Sequence, residues 1–292
     1  MAEVTKFGML DRLSPTKYLA GFKSFLAAME KKDESHYLSF GSKVPESFLR
    51  EAAADVRVLG IGSGSGKADR VILREVLQRH NSVYSRVVEP SGEVIEVYKE
   101  LVCEDTSLGA VKFDWRQQTA EEYFQTKEDT KFHLIHAVHV LYHVEDIHAT
   151  LRNMWEQLAD NGYMLVVMAS DKADSGRLRH TLSDEFAQGD RLKTCFRFAC
   201  DVKQWFDTEG ISYVTSDDNI NINVTECFKE ESEAGMSLLD FLTNTLDVSS
   251  EPEIESMALA YIRRNSSVVD DKILLKETNE VITAFKNGME KK

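Results

Sequence analysis

The sequence predicts an α/β fold: a doubly wound, mostly parallel sheet of seven strands, preceded by N-terminal helices and followed by a smaller, looser region. Three observations carry this. Between residues 55 and 170, five apolar runs of strand length alternate with amphipathic stretches. The first run breaks into glycines at Gly62, Gly64 and Gly66. The second, Arg86-Val87-Val88-Glu89-Pro90, ends on an acid about one strand-helix-strand unit later.

Taken in order, Tyr18, Phe22, Phe25 and Leu26 recur at helical spacing and predict a first helix. A charged stretch, Glu30-Lys31-Lys32-Asp33-Glu34, follows, and Pro45-Glu46-Ser47-Phe48-Leu49 reads as a short second helix. The strand candidates are Val56–Ile61, Tyr84–Val88, Val111–Trp115, Phe132–Val138 and Tyr163–Ala169. Helix candidates at Lys67–Arg79, Gly92–Cys103, Ala120–Phe124 and Ile147–Leu158 separate them, which implies a parallel sheet covered on both faces. Asp160-Asn161-Gly162 is a turn signal between the last helix and the fifth strand. Further on, Leu178–Phe186 and Val202–Asp207 read as helical, and Leu238–Leu242 as a helix face. Ile211–Thr215 and Ile222–Phe228 read as strands, and Lys272–Leu275 with Val281–Phe285 as a closing hairpin.

A chain of 292 residues can bury a core without disulfides or metals. Hydrophobic residues make up 42% and charged residues 29%, with only four prolines, so no long disordered segment is expected. The formal charge of −14 argues against nucleic acid, because neutralising phosphates takes a basic face, and suits a cationic small molecule. The four cysteines form no C-x-x-C pair and read as reduced thiols. With no apolar run of membrane-spanning length, no signal-peptide plan and no coiled-coil heptads, a cytoplasmic, monomeric protein is expected.

The spacing of V-L-G-I-G-S-G-S-G at Val58–Gly66 separates three cofactor classes. A nicotinamide or flavin fingerprint, G-x-G-x-x-G/A, fails because from Gly62 and Gly64 the sixth position is Lys67. A phosphate-binding P-loop fails at Ile61 and again at Ala68. What remains is Gly62-x-Gly64-x-Gly66, the loop of S-adenosyl-L-methionine-dependent methyltransferases on a doubly wound, Rossmann-like sheet. In that setting Glu89 can accept both hydroxyls of a ribose.

Longer strings extend the pattern along nearly the whole chain. They are Leu59–Gly66, Val87-Val88-Glu89-Pro90-Ser91 with Tyr98–Val102, and Val111-Lys112-Phe113 with Trp115. Two more are Ile135-His136 through Leu141-Tyr142 with Asp146-Ile147 and Ala149-Thr150-Leu151, and Asp240-Phe241-Leu242-Thr243. In these the chain resembles the histamine N-methyltransferase family, a group of class I methyltransferases. The resemblance implies one domain over residues 1–292, with a helical cap at 1–53, a cofactor-binding core at 54–170 and substrate-side insertions and closing strands at 171–292. It implies S-adenosyl-L-methionine as cofactor, held by Gly62, Gly64, Gly66 and Glu89, with Thr119 or Ala120 at the adenine and Val138 beside it. Family members often carry a hydroxyl where Ala120 stands.

On the substrate side the resemblance puts Tyr18, Phe22, His139, Tyr142 and Phe241 at pocket positions. Glu277 falls where the family has an asparagine facing the amine, and Glu30 or Glu34 at its helix-one glutamate. Two family tryptophans are missing from Ser175–Arg179, and His139 replaces a glutamine. The implied reaction is direct in-line transfer of a methyl group to a nitrogen of a small amine or imidazole. That nitrogen must be unprotonated, and His139, or His143, can take its proton or hydrogen-bond it. Tyr142 and Phe22 offer aromatic faces, and Glu277 or Glu34 can pair with an ammonium tail. His133, His136, His139 and His143 lie close in sequence, but with no H-E-x-x-H pattern and with strand alternation no metal is expected, and His136 reads as a core or strand-end histidine. The alternatives are methylation of another imidazole or amine such as carnosine, and a non-catalytic relative that only binds the cofactor.

Overall fold

Val56, Val58, Leu59 and Ile61 are buried on both faces of the first strand, as expected of a run that other strands flank and helices cover. The computed structural model describes residues 15–30, 34–45, 56–186, 197–245 and 247–287. The first part of the sheet comprises β1 (Val56–Ile61), β2 (Val83–Val88), β3 (Val111–Arg116), β4 (Phe132–Val138) and β5 (Leu158–Ala169). β6 (Tyr213–Asn223), β7 (Ser267–Val269) and β8 (Lys272–Phe285) complete it. The helices are α1 (Pro15–Ala28), α2 (Glu34–Gly41), α3 (Lys67–Leu77), α4 (Gly92–Glu104), α5 (Ala120–Gln125) and α6 (Ile147–Gln157). The remainder are α7 (Asp174–Phe186), α8 (Ala199–Thr208), α9 (Glu233–Thr243) and α10 (Pro252–Asn265).

The strand order is β3-β2-β1-β4-β5-β8-β6, with the short β7 beside β8. β1 pairs parallel with both β2 and β4, so the winding reverses between β1 and β4. In such sheets ligands bind beyond the carboxyl ends of the strands at that reversal. β8 returns beside β5: Asn161 N–H donates to Lys286 O and Lys286 N–H to Gly162 O, while Ser170 N–H meets Thr278 O. The seven-strand, mostly parallel expectation therefore holds, with β7 as an addition.

The chain divides into two compact units. The sheet unit comprises Asp33–Met168, Ala199–Ser216 and Glu280–Lys292. Alternation along its strands supplies two cores. On one face Leu59, Ile135 and Met164 pack with Tyr123 of α5, Leu151 of α6 and Trp205 of α8. On the other, Val58, Leu134 and Val167 pack with Phe40 of α2 and Val71 and Ile72 of α3. The second unit comprises Met1–Lys32, Ala169–Phe198 and Asp217–Asn279. Its core joins Leu178 and Leu182 of α7, Leu238 and Leu242 of α9, Ile254 and Ile262 of α10, and Ile220, Ile222 and Leu275 from β6 and β8.

Several expectations are corrected. Ile211–Thr215 and Ile222–Phe228 are not two strands: β6 is continuous, and Thr225–Phe228 is a 3-10 turn. As the last strand in the order, β6 buries Ile220 and Ile222 and leaves Asp217, Asn219 and Asn221 outward, so its polar middle reads as a break in sequence. The closing hairpin is not Lys272–Leu275 against Val281–Phe285, which form one strand. The hairpin is β7 against the start of β8, turning at Asp270 and Asp271 with φ of 47° and 61°. The polar Lys276–Glu280 stretch hides the continuity of β8, yet Glu277, Asn279 and Glu280 within it are buried. The Asp160–Gly162 turn lies within β5 as a bulge, since Leu158 faces Phe132 and Tyr163 faces Leu134. A second helix does form, at α2. The segment Pro45–Leu49 expected to hold it lies, apart from Pro45, outside the described residues.

Arg86, centred in β2, ties the sheet to α5. Its Nε donates to Asp114 at 2.7 Å, its Nη1 to Tyr123 at 3.2 Å and to Glu128, and its Nη2 to Tyr84 at 3.0 Å. The guanidinium side chain is only 5% exposed, and these partners hold its pKa above the arginine range despite desolvation. Replacing Arg86 with Leu strips two carboxylates of their shared partner, and urea unfolding is expected to show a loss of roughly 2–4 kcal/mol. A wild-type midpoint would deny Arg86 this role.

Candidate active site

β1 ends at Ile61, and the chain turns at once through three glycines. Gly62 N–H still donates to Val88 O of β2 at 2.8 Å, so the turn begins inside the sheet. Gly62 has φ 61°, in the left-handed region, and a Cβ there would run into the Val140 side chain. Gly64 also lies in the left-handed region at φ 55°, but a Cβ on it would meet nothing within 4 Å. Gly66 caps α3 with φ 79°, pressed against the Tyr98 ring. The turn is thus closed behind Gly62 and Gly66 and open over Gly64.

Glu89, directly after β2, is buried and accepts two backbone hydrogen bonds: Gly64 N–H to Oε2 at 3.0 Å and Ser91 N–H to Oε1 at 3.1 Å. Burial raises its pKa, and the two amides partly offset that. Ser91 also caps α4, its hydroxyl accepting from Val94 N–H. One carboxylate therefore joins the turns that follow β1 and β2. Ser91 is not among the sequence candidates for the site, although a serine before a helical stretch is a recognisable cap.

Thr119 forms a capping box on α5: its Oγ1 accepts from Glu122 N–H at 3.1 Å, and Glu122 Oε2 accepts from Thr119 N–H at 2.9 Å. Ala120 is the first residue of that helix and is buried. Val138 ends β4, paired with Val167 of β5. The next residue, His139, has φ 53° and donates its N–H to Val167 O at 2.9 Å. Histidine is among the residue types that adopt this region more readily than most. Its Nδ1 lies 3.2 Å from Tyr142 Oη, with the two rings stacked at 6.2 Å. Phe40 of α2 meets the imidazole edge-on at 6.0 Å, a neighbour that no motif in the sequence marks. The structure thus brings Gly62, Gly64, Gly66, Glu89, Thr119, Ala120, Val138, His139 and Tyr142 into one unit.

Phe22, Phe241 and Glu277 belong to the second unit. Phe241 of α9 packs on α1 through Phe22 at 5.9 Å and Phe25 at 5.0 Å. Arg179 donates to the carbonyls of Phe241 and Leu242 at 2.9 and 3.0 Å. Glu277 accepts from the backbone N–H of Ser175 at 2.9 Å and from its hydroxyl at 2.8 Å, so the carboxylate sits on the first turn of α7. Burial pushes its pKa up to about 7, against the Ser175 hydrogen bonds and Arg179. Glu30 pairs with Lys272 at 3.3 Å. The side chains of Tyr18 and Glu34 lie outside the described residues. Among the described residues no group of three or more His, Cys, Asp or Glu is placed to hold a metal, and no helix is long and apolar enough to cross a membrane.

Residues 17–218 match a family model described as a methyltransferase domain. The chain is 32% identical to histamine N-methyltransferase of Cavia porcellus over 240 residues, covering 79% of this chain and 82% of that one. It is 31% identical to the Xenopus tropicalis enzyme of the same name, covering 80% and 81%. Among solved structures, the YcgJ protein from Bacillus subtilis superposes with a TM-score of 0.53 at 17% identity, over 87% of this chain and 99% of that one. That likeness is one of fold.

Two expected outcomes follow from the geometry. Gly62→Ala adds a Val140 clash to left-handed strain and is expected to cost roughly 2–4 kcal/mol in urea unfolding, against about 1–2 kcal/mol of strain for Gly64→Ala. The reverse ranking would contradict the turn. Because Glu277 binds its proton more tightly folded than unfolded, its contribution is fully present at low pH and is lost as pH rises toward about 7. Stability should therefore fall by about 3 kcal/mol on this account between about pH 4.5 and pH 7, and Glu277→Gln should flatten that decline in a pH series of thermal melts.

Proposed function

The chain belongs to the histamine N-methyltransferase family, and from that premise we propose that it moves a methyl group from S-adenosyl-L-methionine to a nitrogen of a small amine or imidazole. The observation that carries this reading is the Glu89 carboxylate, set against the amide of Gly64 in a turn left open at that residue. Each carboxylate oxygen has two lone-pair directions and gives one to an amide, so capacity for two ribose hydroxyls remains. These residues fit a nucleoside cofactor. Gly62, Gly64 and Gly66 would border its methionine part, Thr119 or Ala120 its adenine, and Val138 its flank. When bound, the cofactor supplies a methyl group on a positively charged sulfur.

The chain's own work is positioning and proton handling. Holding the acceptor nitrogen in line can supply ~7–11 kcal/mol of the barrier through entropy already spent on binding. His139, fixed by its backbone bond to Val167 and its contact with Tyr142, takes or shares the acceptor's proton so that the lone pair is available. Beside His139, Tyr142 offers an aromatic face to a flat or cationic substrate; Phe22 and Phe241, with Tyr18, are aromatic positions of the second unit that the family resemblance assigns to substrate. Glu277 or Glu34 is the carboxylate for an ammonium tail, and Glu277 keeps spare lone pairs beyond those given to Ser175. A monomer in the cytoplasm with a small-molecule partner is the setting proposed.

Removing the ribose acceptor by Glu89→Ala should weaken S-adenosylhomocysteine binding in calorimetry, each lost hydrogen bond being worth roughly 1.5–3 kcal/mol. Unchanged affinity rejects the ribose assignment. His139→Ala is expected to lower turnover and leave that affinity intact, and loss of cofactor binding would take His139 out of the substrate role. Methyl-labelled cofactor should label a member of a panel of biogenic amines, imidazoles and histidine dipeptides. An unlabelled panel with cofactor still bound would overturn the acceptor class.

A further inference from the structure

A carboxylate such as Glu89 accepts the protons of ribose hydroxyls but donates nothing, and each hydroxyl oxygen keeps lone pairs of its own. A ribose is held more tightly where a donor meets those lone pairs as well. The end of β3 brings one close to Glu89. Arg116 O accepts from Glu89 N–H at 3.1 Å and from Gln118 N–H at 3.0 Å. The chain therefore makes a three-residue turn centred on Gln117, directly beside the residue that ends β2.

Strand alternation sets the direction of the Gln117 side chain. Phe113 and Trp115 both face α4, where their rings meet Tyr98 edge-on at 5.8 and 5.1 Å and Lys99 lies over Trp115. Gln117 is next in that row and reaches the first residue of α4, Gly92. A Cβ at Gly92 would lie 3.1 Å from Gln117 Nε2, 3.2 Å from Oε1 and 3.3 Å from Cδ. Atoms of one plane at nearly equal distances mean that the carboxamide lies face-on over Gly92. Its edge, with two N–H donors and an oxygen acceptor, is left clear of the helix. Gly92 is not in the left-handed region, so what its missing side chain provides is room for this amide. The Gln117 side chain is exposed and closes no hydrogen bond among the described residues.

We propose that Gln117 is a further cofactor-binding residue: seated on Gly92, its carboxamide donates to a ribose hydroxyl whose own proton goes to Glu89. That hydroxyl is then gripped from two sides, by an acceptor at the end of β2 and a donor from the turn after β3. The assignment rests on the ribose reading of Glu89 above and adds the donor that a carboxylate cannot supply.

The test is a binding cycle on the full-length protein. Calorimetry compares S-adenosylhomocysteine with its 2′-deoxy and 3′-deoxy forms on the wild type, Gln117→Met, Gly92→Ala and the double variant. Methionine keeps the length of the side chain and removes its donors and acceptor. In Gln117→Met, Kd for S-adenosylhomocysteine should rise about three- to tenfold, as for one neutral hydrogen bond, with the thermal midpoint unmoved. The penalty for deleting one of the two hydroxyls should shrink by the same factor, since side chain and ligand share one bond that is lost only once. Gly92→Ala, which displaces the carboxamide, should weaken binding to a similar degree, and the double variant no further. Unchanged affinity in Gln117→Met overturns the proposal, as do additive effects of the two substitutions. A lowered midpoint with deoxy penalties equal to those of the wild type marks a merely structural role and also overturns it. So does a penalty that shrinks only for S-inosylhomocysteine, which would move Gln117 to the base. If the wild type binds no S-adenosylhomocysteine, the cofactor reading falls and this assignment with it; binding that Gln117→Met leaves intact removes this assignment alone.

Discussion

The turn after β1 and the turn after β2 are held together by one carboxylate. Glu89 reaches back from the end of β2 to the Gly64 amide and forward to that of Ser91, the cap of α4. Taking an ionised group this far out of water is costly unless dipoles face it, and two amides do so here. That arrangement demands a backbone at Gly64 that a side-chain-bearing residue adopts only under strain. It also demands that β1 and β2 lie side by side in parallel, which the crossover through α3 supplies. The glycines, the order of the strands and the acid are thus one requirement met at three levels.

The parts of this design legible in sequence are those where burial is two-sided or where glycine is compulsory. β1 and β4 were read with their observed bounds because both are almost continuously apolar. β6 and β8 were not, because β6 bears polar residues on its open side and β8 buries Glu277, Asn279 and Glu280 through hydrogen bonds and charge pairs. A buried carboxylate looks the same in sequence as a solvated one. The same limit hid Asp69, which α3 buries 3.8 Å from His136 of β4. Gly62, Gly64, Gly66 and Glu89 were legible because few residues can do what their positions require.

The second unit anchors its helices by matching charge to helix ends. The Glu277 carboxylate lies on the Ser175 amide and hydroxyl at the start of α7, and the Arg179 guanidinium on the carbonyls at the end of α9. Arg179 also lowers the pKa of Glu277, so one cation serves both ends. Phe241 beneath Arg179 then packs on α1, where Gly21 permits close approach.

Arg86 gives the far side of the sheet a different dependence on its surroundings. Dissolved ions weaken attractions between charges they can surround, and the exposed pair Lys99–Glu96 on α4 is open to them. The Arg86 guanidinium is sealed among Tyr84, Tyr123 and Phe132, with carboxylates only on its outer side. The β2–β3–α5 corner, which carries Thr119 and Ala120, is therefore built to keep its shape across ionic strengths that loosen the exposed pairs around it.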